Sequence, residues 1–179
     1  VAAKLETPDG PIDIGSGRSI QPGAKREKRI VHVDGATVRS QSALAEFLSA
    51  QWLTPQMDRL FLEGASARRR FLDRLVFGTD PAHAGRVSAY EHAMRERIRL
   101  LRGGQPDSGR PADPEWLNVL EDTMASKGVA VSAARIDMAA RLDDVAGQAA
   151  AQGIFPGASL RIVGDLEDWL NGSPALEAE

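Results

Sequence analysis

Three consecutive arginines stand near the beginning of a predicted helix in the stretch ASARRRFLDRL, residues 65–75. We refer to Arg68, Arg69 and Arg70 as the arginine run. The N-terminus of a helix carries a partial positive charge and favours Asp and Glu, so three cations at this place oppose the helix dipole. The arrangement requires a counter-charge, which is supplied either by the chain itself or by a bound anion.

Two sources of that counter-charge are open. Arg69 and Arg70 precede Asp73 by four and three residues, so ordinary pairs within the helix would neutralise part of the charge at roughly 0.2–0.5 kcal/mol each. Alternatively, apolar residues such as Phe71 anchor the inner face and direct the arginines outward, where phosphate oxygens accept bidentate hydrogen bonds. This second interpretation makes the arginine run the first candidate for phosphate contact, and Arg74 a further one.

Side-chain sets that perform catalysis or bind metals are not indicated. The histidines, His32, His83 and His92, are widely separated without an H-E-x-x-H pattern, and no serine lies in a G-x-S-x-G pattern. The stretch GSGRS at residues 15–19 lacks the lysine and the strand-to-helix context of a phosphate-binding loop. We therefore predict no catalytic residue, no metal site and no enzymatic activity for this chain alone.

The composition is that of a globular protein with one or two compact units. The chain has 179 residues, 42% of them hydrophobic, and no cysteine, which excludes disulfides and thiolate sites and fits a reducing compartment. No apolar stretch approaches ~20 residues and no secretory leader is recognised, so we expect a cytoplasmic protein without a membrane partner. A formal net charge of -3 argues against a uniformly basic nucleic-acid binder, so local clusters of arginine matter more.

Residues 1–55 have the pattern of short strands and tight turns. In RIVHVDGATV, Asp34 and Gly35 separate two β-branched runs, which is typical of a hairpin with a type I′ turn because both central residues need positive φ. His32 alternates with apolar neighbours and is interpreted as a partly exposed strand residue. The Gly-rich, charged segment at residues 15–28 is predicted to be a mobile loop. We expect an antiparallel sheet from this region.

The apolar period changes from two to about 3.6 residues after Pro55, which predicts a helical arm over residues 56–156. One amphipathic helix of the arm is predicted in GRVSAYEHAMRERIRLL, residues 85–101. Its apolar face consists of Val87, Tyr90, Met94, Ile98 and Leu101.

A second helical segment begins with Asp113 as N-cap and Pro114 at the first helical position. Apolar residues continue at helical spacing, with Trp116, Leu120 and Met124 near its start. Gly128 offers a place for a break, but the spacing runs through it. Residues 114–152 therefore form either one long helix or two, and the sequence does not decide between them.

The order of these elements predicts an α+β fold. Residues 1–55 supply a small antiparallel platform, and residues 56–156 form a helical arm inserted into it. Residues 157–179 supply a returning strand, ASLRIVG, and a short helix that begins at DLEDWL.

Several motifs together resemble one family of bacterial proteins. The stretch WLTPQMDRLFLEGASARRRFLDRLVF, which runs into PAHAGRVSAYEHAMRERIRLL, is similar to the middle of RecF, a DNA replication and repair family. The segments WLNVLEDTMASKGVAVSAARIDMAARL and FPGASLRIVGDLEDWL resemble the next part of the sequence in alphaproteobacterial members. The resemblance covers essentially the whole chain and is weakest over residues 1–28. Ile98 departs from the family pattern, in which Asn is expected.

The resemblance implies an ABC-type ATPase that binds DNA as an ATP-dependent homodimer. The family is implicated in gap repair, the SOS response and replication restart, with RecO and RecR as partners. The phosphate loop, signature motif and Asp-Glu box of the family are not found in this sequence. We therefore expect a central fragment that includes part of the ATPase head and has no cofactor of its own. For the full-length family, the resemblance implies ATP and Mg²⁺.

The resemblance also directs attention to Gln56. ATPases of this type carry a Gln-bearing loop between the nucleotide-binding lobe and the helical insertion, which senses the γ-phosphate through its metal ion. Gln56, in LTPQMD, is similarly placed. The competing explanation is that Pro55 and Gln56 only terminate a strand.

We therefore expect a segment of a DNA-repair protein whose arm contacts the DNA backbone without reading bases, through the arginine run and Arg74. The alternative is a protein-interaction or dimerisation lobe with no direct DNA contact, which docks a partner through the stripe Trp116, Leu120 and Met124. If that stripe instead packs against the helix that contains Tyr90, it is ordinary core.

Overall fold

A computed structural model describes residues 1–19, 28–38, 44–45, 47–103, 113–154 and 156–172. The chain divides into two compact units, Val1–Ala50 and Gln51–Glu179. Among the described residues, the first unit contains an antiparallel sheet and the second contains the α-helices. The α+β class predicted from the sequence is confirmed.

The sheet of the first unit has its strands in the order β1-β2-β3-β4, each antiparallel to its neighbour. The strands are β1 Ala2–Thr7, β2 Gly10–Ser19, β3 Lys28–Val33 and β4 Ala36–Val38. The register places apolar residues opposite one another, as in the pairs Ile14 with Val33 and Val31 with Val38. Val31 and Val33 are buried, and because side chains alternate along a strand they lie on the same face of the sheet.

The β3–β4 hairpin has the turn that the sequence predicts. Asp34 and Gly35 have φ values of 49° and 80°, both in the left-handed region. The turn is joined to β2 because the backbone amide of Asp13 donates to Oδ1 of Asp34 at 2.8 Å. His32 is exposed, with Nδ1 3.3 Å from Oγ1 of Thr37, in agreement with its interpretation as a strand residue.

Part of the predicted mobile loop is a strand. Residues 15–19 extend β2, and Gly15 and Gly17 lie opposite His32 and Ile30 of β3. The glycine-rich composition led to the wrong prediction here, because pairing with a neighbouring strand overrides a weak local preference. The rest of that prediction, at residues 20–27, lies outside the described residues.

The second unit begins with a short 3-10 helix and contains four α-helices within its described residues. The 3-10 helix is Pro55–Arg59, and the α-helices are α1 Ala65–Phe77, α2 His83–Gly103, α3 Pro114–Ala151 and α4 Asp165–Gly172. No α-helix in the described part of the chain is both long enough and apolar enough to cross a membrane.

One continuous helix, α3, resolves the alternative that the sequence left open. As predicted, Asp113 is its N-cap, and Oδ1 of Asp113 accepts a hydrogen bond from the backbone amide of Glu115 at 3.0 Å. The helix passes through Gly128, where a Cβ atom would lie only 3.3 Å from Cε2 of Tyr90. The glycine therefore serves close packing of the Tyr90 ring and not a break between two helices.

The contact between α2 and α3 covers only the N-terminal part of the apolar face predicted for α2. Ala93 and Leu100 of α2 form a buried cluster with Leu120 of α3. Ile98 and Leu101, which were predicted on the apolar face, are exposed. The small side chain of Ala93 permits close approach of the two helices. The spacing of apolar residues alone predicted burial of the larger side chains instead.

The returning strand predicted at residues 158–164 does not form. These residues have no β-pairing within the described structure, and the backbone amide of Leu160 donates instead to Oδ1 of Asp143 on α3 at 2.6 Å. A strand needs a partner edge, and this segment lies along helices. The short helix predicted after it is confirmed as α4.

Candidate nucleic-acid interface

The arginine run lies in the first two turns of α1, and all three side chains are exposed. Nη1 of Arg68 donates to the backbone carbonyl of Glu63 at 2.6 Å, and Nη2 of Arg69 donates to Oγ of Ser66 at 3.3 Å. Within the part of the chain that the structure describes, none of the three arginines forms an ion pair with a carboxylate. The first turn of α1 also contains no acidic residue, so no carboxylate within that turn offsets the positive end of the helix.

The carboxylate of Asp73 pairs with Arg135 and His83 and not with the arginine run. Nε and Nη2 of Arg135 donate to Oδ1 and Oδ2 of Asp73 at 2.7 and 2.8 Å, and Nε2 of His83 lies 2.9 Å from Oδ1. A bidentate arginine and a third partner occupy most of the acceptor capacity of a carboxylate. The pairs of Arg69 and Arg70 with Asp73, which the sequence left open, do not form.

The surroundings of Asp73 favour its ionised form. Burial by itself would raise the pKa of this carboxyl, but the hydrogen bonds from Arg135 and His83, with the positive charge of Arg135, hold the pKa of Asp73 below its ordinary value. The side chains of Asp73 and Arg135 are only 17% and 14% exposed, and His83 is fully buried. We call these three residues the Asp73 network; it joins α1, α2 and α3 directly behind the arginine run.

A second acid–base pair fixes the connection between α1 and α2. Oδ2 of Asp80 accepts a hydrogen bond from Arg86, and Oδ1 of Asp80 accepts from the backbone amide of Ala82 at 3.0 Å. The hydrogen bond from Arg86 is the main reason that the pKa of Asp80 lies below its ordinary value. This pair holds the start of α2, where His83 enters the Asp73 network.

Arg74, the further phosphate candidate, lies against aromatic rings. Its guanidinium carbon is 4.9 Å from the centroid of the Trp52 ring and 5.5 Å from that of Phe71. Its Nη2 atom lies 3.7 Å from the sulfur of Met57, and its buried Nε atom has no hydrogen-bond partner among the described residues. Arg74 therefore fixes the segment before α1 and differs in position from the exposed arginine run.

Gln56, the candidate for nucleotide sensing, has its backbone in the 3-10 helix Pro55–Arg59. Its side chain lies outside the described part of the structure. The preceding segment is tied to α1, because Nε2 of Gln51 donates to the backbone carbonyl of Arg74 at 3.4 Å. The sensing role of Gln56 stays a prediction.

The stripe on α3 that the alternative hypothesis assigned to a partner protein is mostly core. Leu120 is buried, and Met124 packs partly buried against the cluster that Leu120 forms with α2. Trp116, by contrast, is 51% exposed. The structure therefore favours the explanation in which this stripe packs against the helix that contains Tyr90.

Two open grooves flank α1, and Arg69 lines both of them. The first, of about 710 Å³, we call the acid-lined cleft, because Glu91, Asp165 and Glu167 line it together with Arg69 and Arg70. The second, of about 580 Å³, we call the apolar groove. We call its arginines Arg68, Arg69 and Arg161 the rim of the groove, and we call the following apolar lining residues its floor: Phe61, Phe71, Leu72, Leu142, Ile162 and Val163.

The three histidines have different surroundings. His83 belongs to the Asp73 network, His32 lies on the sheet, and His92 is exposed on α2. Within the described ranges, no group of three His, Asp or Glu side chains is placed to hold a metal ion. The exposed guanidinium groups of the arginine run are of the kind that binds anions.

Sequence reasoning missed Arg135. It is 62 residues from Asp73, and no spacing rule within one helix connects positions so far apart. In the sequence, Arg135 is a basic residue within an otherwise apolar helix pattern, and this pattern predicts a buried acidic partner. Finding which acid it pairs with required the packing of α1 on α3.

Comparisons with known proteins identify relatives over the whole chain. The chain is 42% identical over 177 residues to the DNA replication and repair protein RecF of Mesorhizobium japonicum. That alignment covers 99% of this chain and 45% of the relative. It is 47% identical over 141 residues to RecF of a Caulobacter species, covering 75% of this chain and 35% of that protein. RecF of Rhizobium meliloti is 38% identical over 179 residues, covering 100% of this chain and 46% of that protein.

These comparisons confirm the resemblance to RecF that the sequence motifs predict. The chain spans less than half the length of these relatives. No protein-family model matches the chain.

Proposed function

We propose that this chain, which is similar to RecF proteins, is a segment of a DNA replication and repair protein and that its helical unit contacts the DNA backbone. The contact is made by the guanidinium groups of Arg68, Arg69 and Arg70 with phosphate oxygens. Arg74 has a minor role because its guanidinium lies against the rings of Trp52 and Phe71.

The single observation that carries this proposal is the set of exposed arginines at the start of α1 that form no ion pair within the described residues. Three exposed arginines stand at the positive end of a helix whose first turn has no acid. Asp73, the acid within reach along the same helix, is held by Arg135 and His83. A phosphate backbone brings negative charge to this helix end and accepts the bidentate hydrogen bonds that arginine makes.

Binding of this kind is independent of base sequence and sensitive to salt. Phosphate contacts position a protein on DNA without reading bases, and each phosphate neutralised releases counterions. A net charge of -3 for the whole chain confines the attraction to local clusters such as the arginine run.

In this proposal the longer protein supplies the nucleotide chemistry. An ABC-type ATPase head binds ATP and Mg²⁺, closes as a homodimer on DNA, and acts in the cytoplasm with RecO and RecR in gap repair, the SOS response and replication restart. The sheet of the first unit is part of that head, and Gln56 senses the γ-phosphate. The chain alone hydrolyses no ATP, because the phosphate loop and the Asp-Glu box of such enzymes are not encoded in it.

The test compares the affinity of the chain for two duplexes of equal length and unrelated sequence at one low salt concentration. Fluorescence anisotropy is measured for the wild type and for the variant Arg68→Gln/Arg69→Gln/Arg70→Gln. We expect equal affinity for the two duplexes, and at least about tenfold weaker binding of both by the variant. Equal binding by wild type and variant, or no binding by either, would contradict the proposal.

A further inference from the structure

We propose that the apolar groove binds an acidic amphipathic peptide segment of a partner protein. The groove lies between α1, α3 and the extended residues that precede α4. It differs from the stripe on α3 that packs in the core, because two of its apolar residues, Phe61 and Val163, are largely exposed.

The floor of the groove exposes apolar surface that water does not favour. Phe61, in the segment before α1, is 72% exposed, and Val163, in the segment before α4, is 70% exposed. Leu72 of α1 and Leu142 of α3 line the same groove. Covering connected apolar residues of this kind gains free energy in proportion to the area removed from water, so the floor fits the apolar face of a partner.

The rim of the groove carries unneutralised positive charge. Arg68, Arg69 and Arg161 line it, and none of them pairs with a carboxylate among the described residues. Arg135 also lines the groove, but Asp73 neutralises it. Of the groove's lining residues only Glu167 is acidic, and Oγ of Ser132 donates to its carboxylate at 3.0 Å. The charge complement of this rim is a segment rich in Asp and Glu.

The shape and chemistry of the floor favour a peptide over a nucleic acid. Nucleobases bind by stacking on flat rings, whereas this floor is mainly aliphatic and one of its two rings, Phe71, already lies under the guanidinium of Arg74. Leu, Ile and Phe side chains at helical spacing are the anchors that grooves between helices accept. A volume of about 580 Å³ lies within the usual range of about 300–1,000 Å³ for ligand pockets.

The peptide site does not depend on the proposed DNA contact. Arg70 belongs to the arginine run but does not line the apolar groove, whereas Val163 and Arg161 line the groove and are not part of the run. Arg68 and Arg69 belong to both. DNA and the acidic peptide therefore compete for two arginines, while each retains residues of its own.

The experiment uses a fluorescein-labelled synthetic peptide with Leu at positions i, i+3, i+4 and i+7 and Glu or Asp between them. A peptide of the same composition in scrambled order is the control for charge alone. Anisotropy titrations compare the wild-type chain with the variants Val163→Asp, Arg161→Glu and Arg70→Gln. Val163 and Arg161 are exposed, so their substitution preserves the fold, which urea unfolding verifies.

We expect saturable binding of the ordered peptide, at least about tenfold weaker binding in Val163→Asp and Arg161→Glu, and a change within about twofold in Arg70→Gln. Equal binding of ordered and scrambled peptides would overturn the proposal, because charge alone would then explain the affinity. Absence of binding would also overturn it. Concentration-dependent dimers that Val163→Asp abolishes, seen by analytical ultracentrifugation, would show that a second copy occupies the groove and would likewise overturn it.

Discussion

Arg135 holds the carboxylate of Asp73 through two hydrogen bonds of 2.7 and 2.8 Å, across 62 positions of sequence. The pair joins α3 to α1 and at the same time removes the acid that stands within one helical turn of Arg69 and Arg70. A contact that stabilises the fold therefore also occupies the acid of α1 that would otherwise pair with the arginine run.

Replacement of Arg135 by Gln should lower the free energy of unfolding by about 3 kcal/mol, because it leaves the largely buried carboxylate of Asp73 without its main partner. Urea unfolding followed by circular dichroism measures the loss. The double variant Asp73→Asn/Arg135→Gln should lose less than the sum of the two single variants, since it leaves no unpaired charge. Additive losses would show that the two residues do not act as a pair.

The contribution of Asp73 to stability should disappear in acid. Its pKa in the folded protein lies below the value of about 3.9 for an unfolded chain, so its contribution is present above that pH and is lost as the pH falls through the folded pKa. At pH 7 the variant Asp73→Asn should be less stable than the wild type. The difference should shrink below about pH 4, where the wild-type carboxyl begins to take up a proton on unfolding. A difference that stays constant down to about pH 2 would contradict this interpretation.

Two glycines of α3 should respond differently to alanine. Gly147→Ala should raise the free energy of unfolding by about 0.5–1 kcal/mol, because the added Cβ would enter open space and alanine has the better helix propensity. Gly128→Ala should gain less or lose, since its Cβ would lie 3.3 Å from Cε2 of Tyr90. Thermal unfolding of both variants tests the close approach of α2 and α3. An equal gain at the two positions would show that the Tyr90 ring does not pack on Gly128.

Substitution of Arg74 should lower stability, whereas substitution of Arg70 should lower DNA affinity. Arg74→Gln should lower the free energy of unfolding by about 0.5–2 kcal/mol through the loss of its contacts with Trp52 and Phe71, with little change in DNA affinity. Arg70→Gln, at an exposed position without an ion-pair partner in the described structure, should weaken DNA binding and leave stability within about 0.5 kcal/mol. Anisotropy and urea unfolding on the same samples separate the two effects. Loss of DNA affinity in Arg74→Gln equal to that in Arg70→Gln would contradict the distinction.

Local rules predicted the features of this fold that depend on neighbouring residues. The positive φ values at Asp34 and Gly35 and the cap of α3 at Asp113 follow from turn and capping chemistry over a few positions. The buried face of α2 was predicted only in part, because it also depends on Ala93, a small residue whose importance comes from the approach of α3. Local apolar spacing contains no information about the size of the gap between two helices.

In the candidate site too, features within one helix were predictable from the sequence, and features that depend on distant contacts were not. The arginine run was visible as a conflict with the helix dipole, which is a property of one helix. The sequence did not show that Asp73 is unavailable to these arginines, because this depends on the contact of Asp73 with Arg135 and His83. The strand predicted at residues 158–164 failed for a related reason, since strand pairing is decided by a distant partner and not by the segment itself.

The salt dependence of DNA binding by the arginine-run variant tests the central claim most directly. The slope of log K against log salt concentration is measured for the wild type and for Arg68→Gln/Arg69→Gln/Arg70→Gln. A matched control, Arg95→Gln/Arg99→Gln/Arg141→Gln, removes the same charge from exposed arginines that pair with Glu91, Glu96 and Asp137.

We predict a slope that is shallower by about 2–3 in the arginine-run variant, close to 0.9 for each phosphate that is no longer neutralised, and a slope near that of the wild type in the control. Parallel lines for the wild type and the arginine-run variant, or an equal reduction in the control, would show that these arginines do not contact phosphate and would contradict the claim.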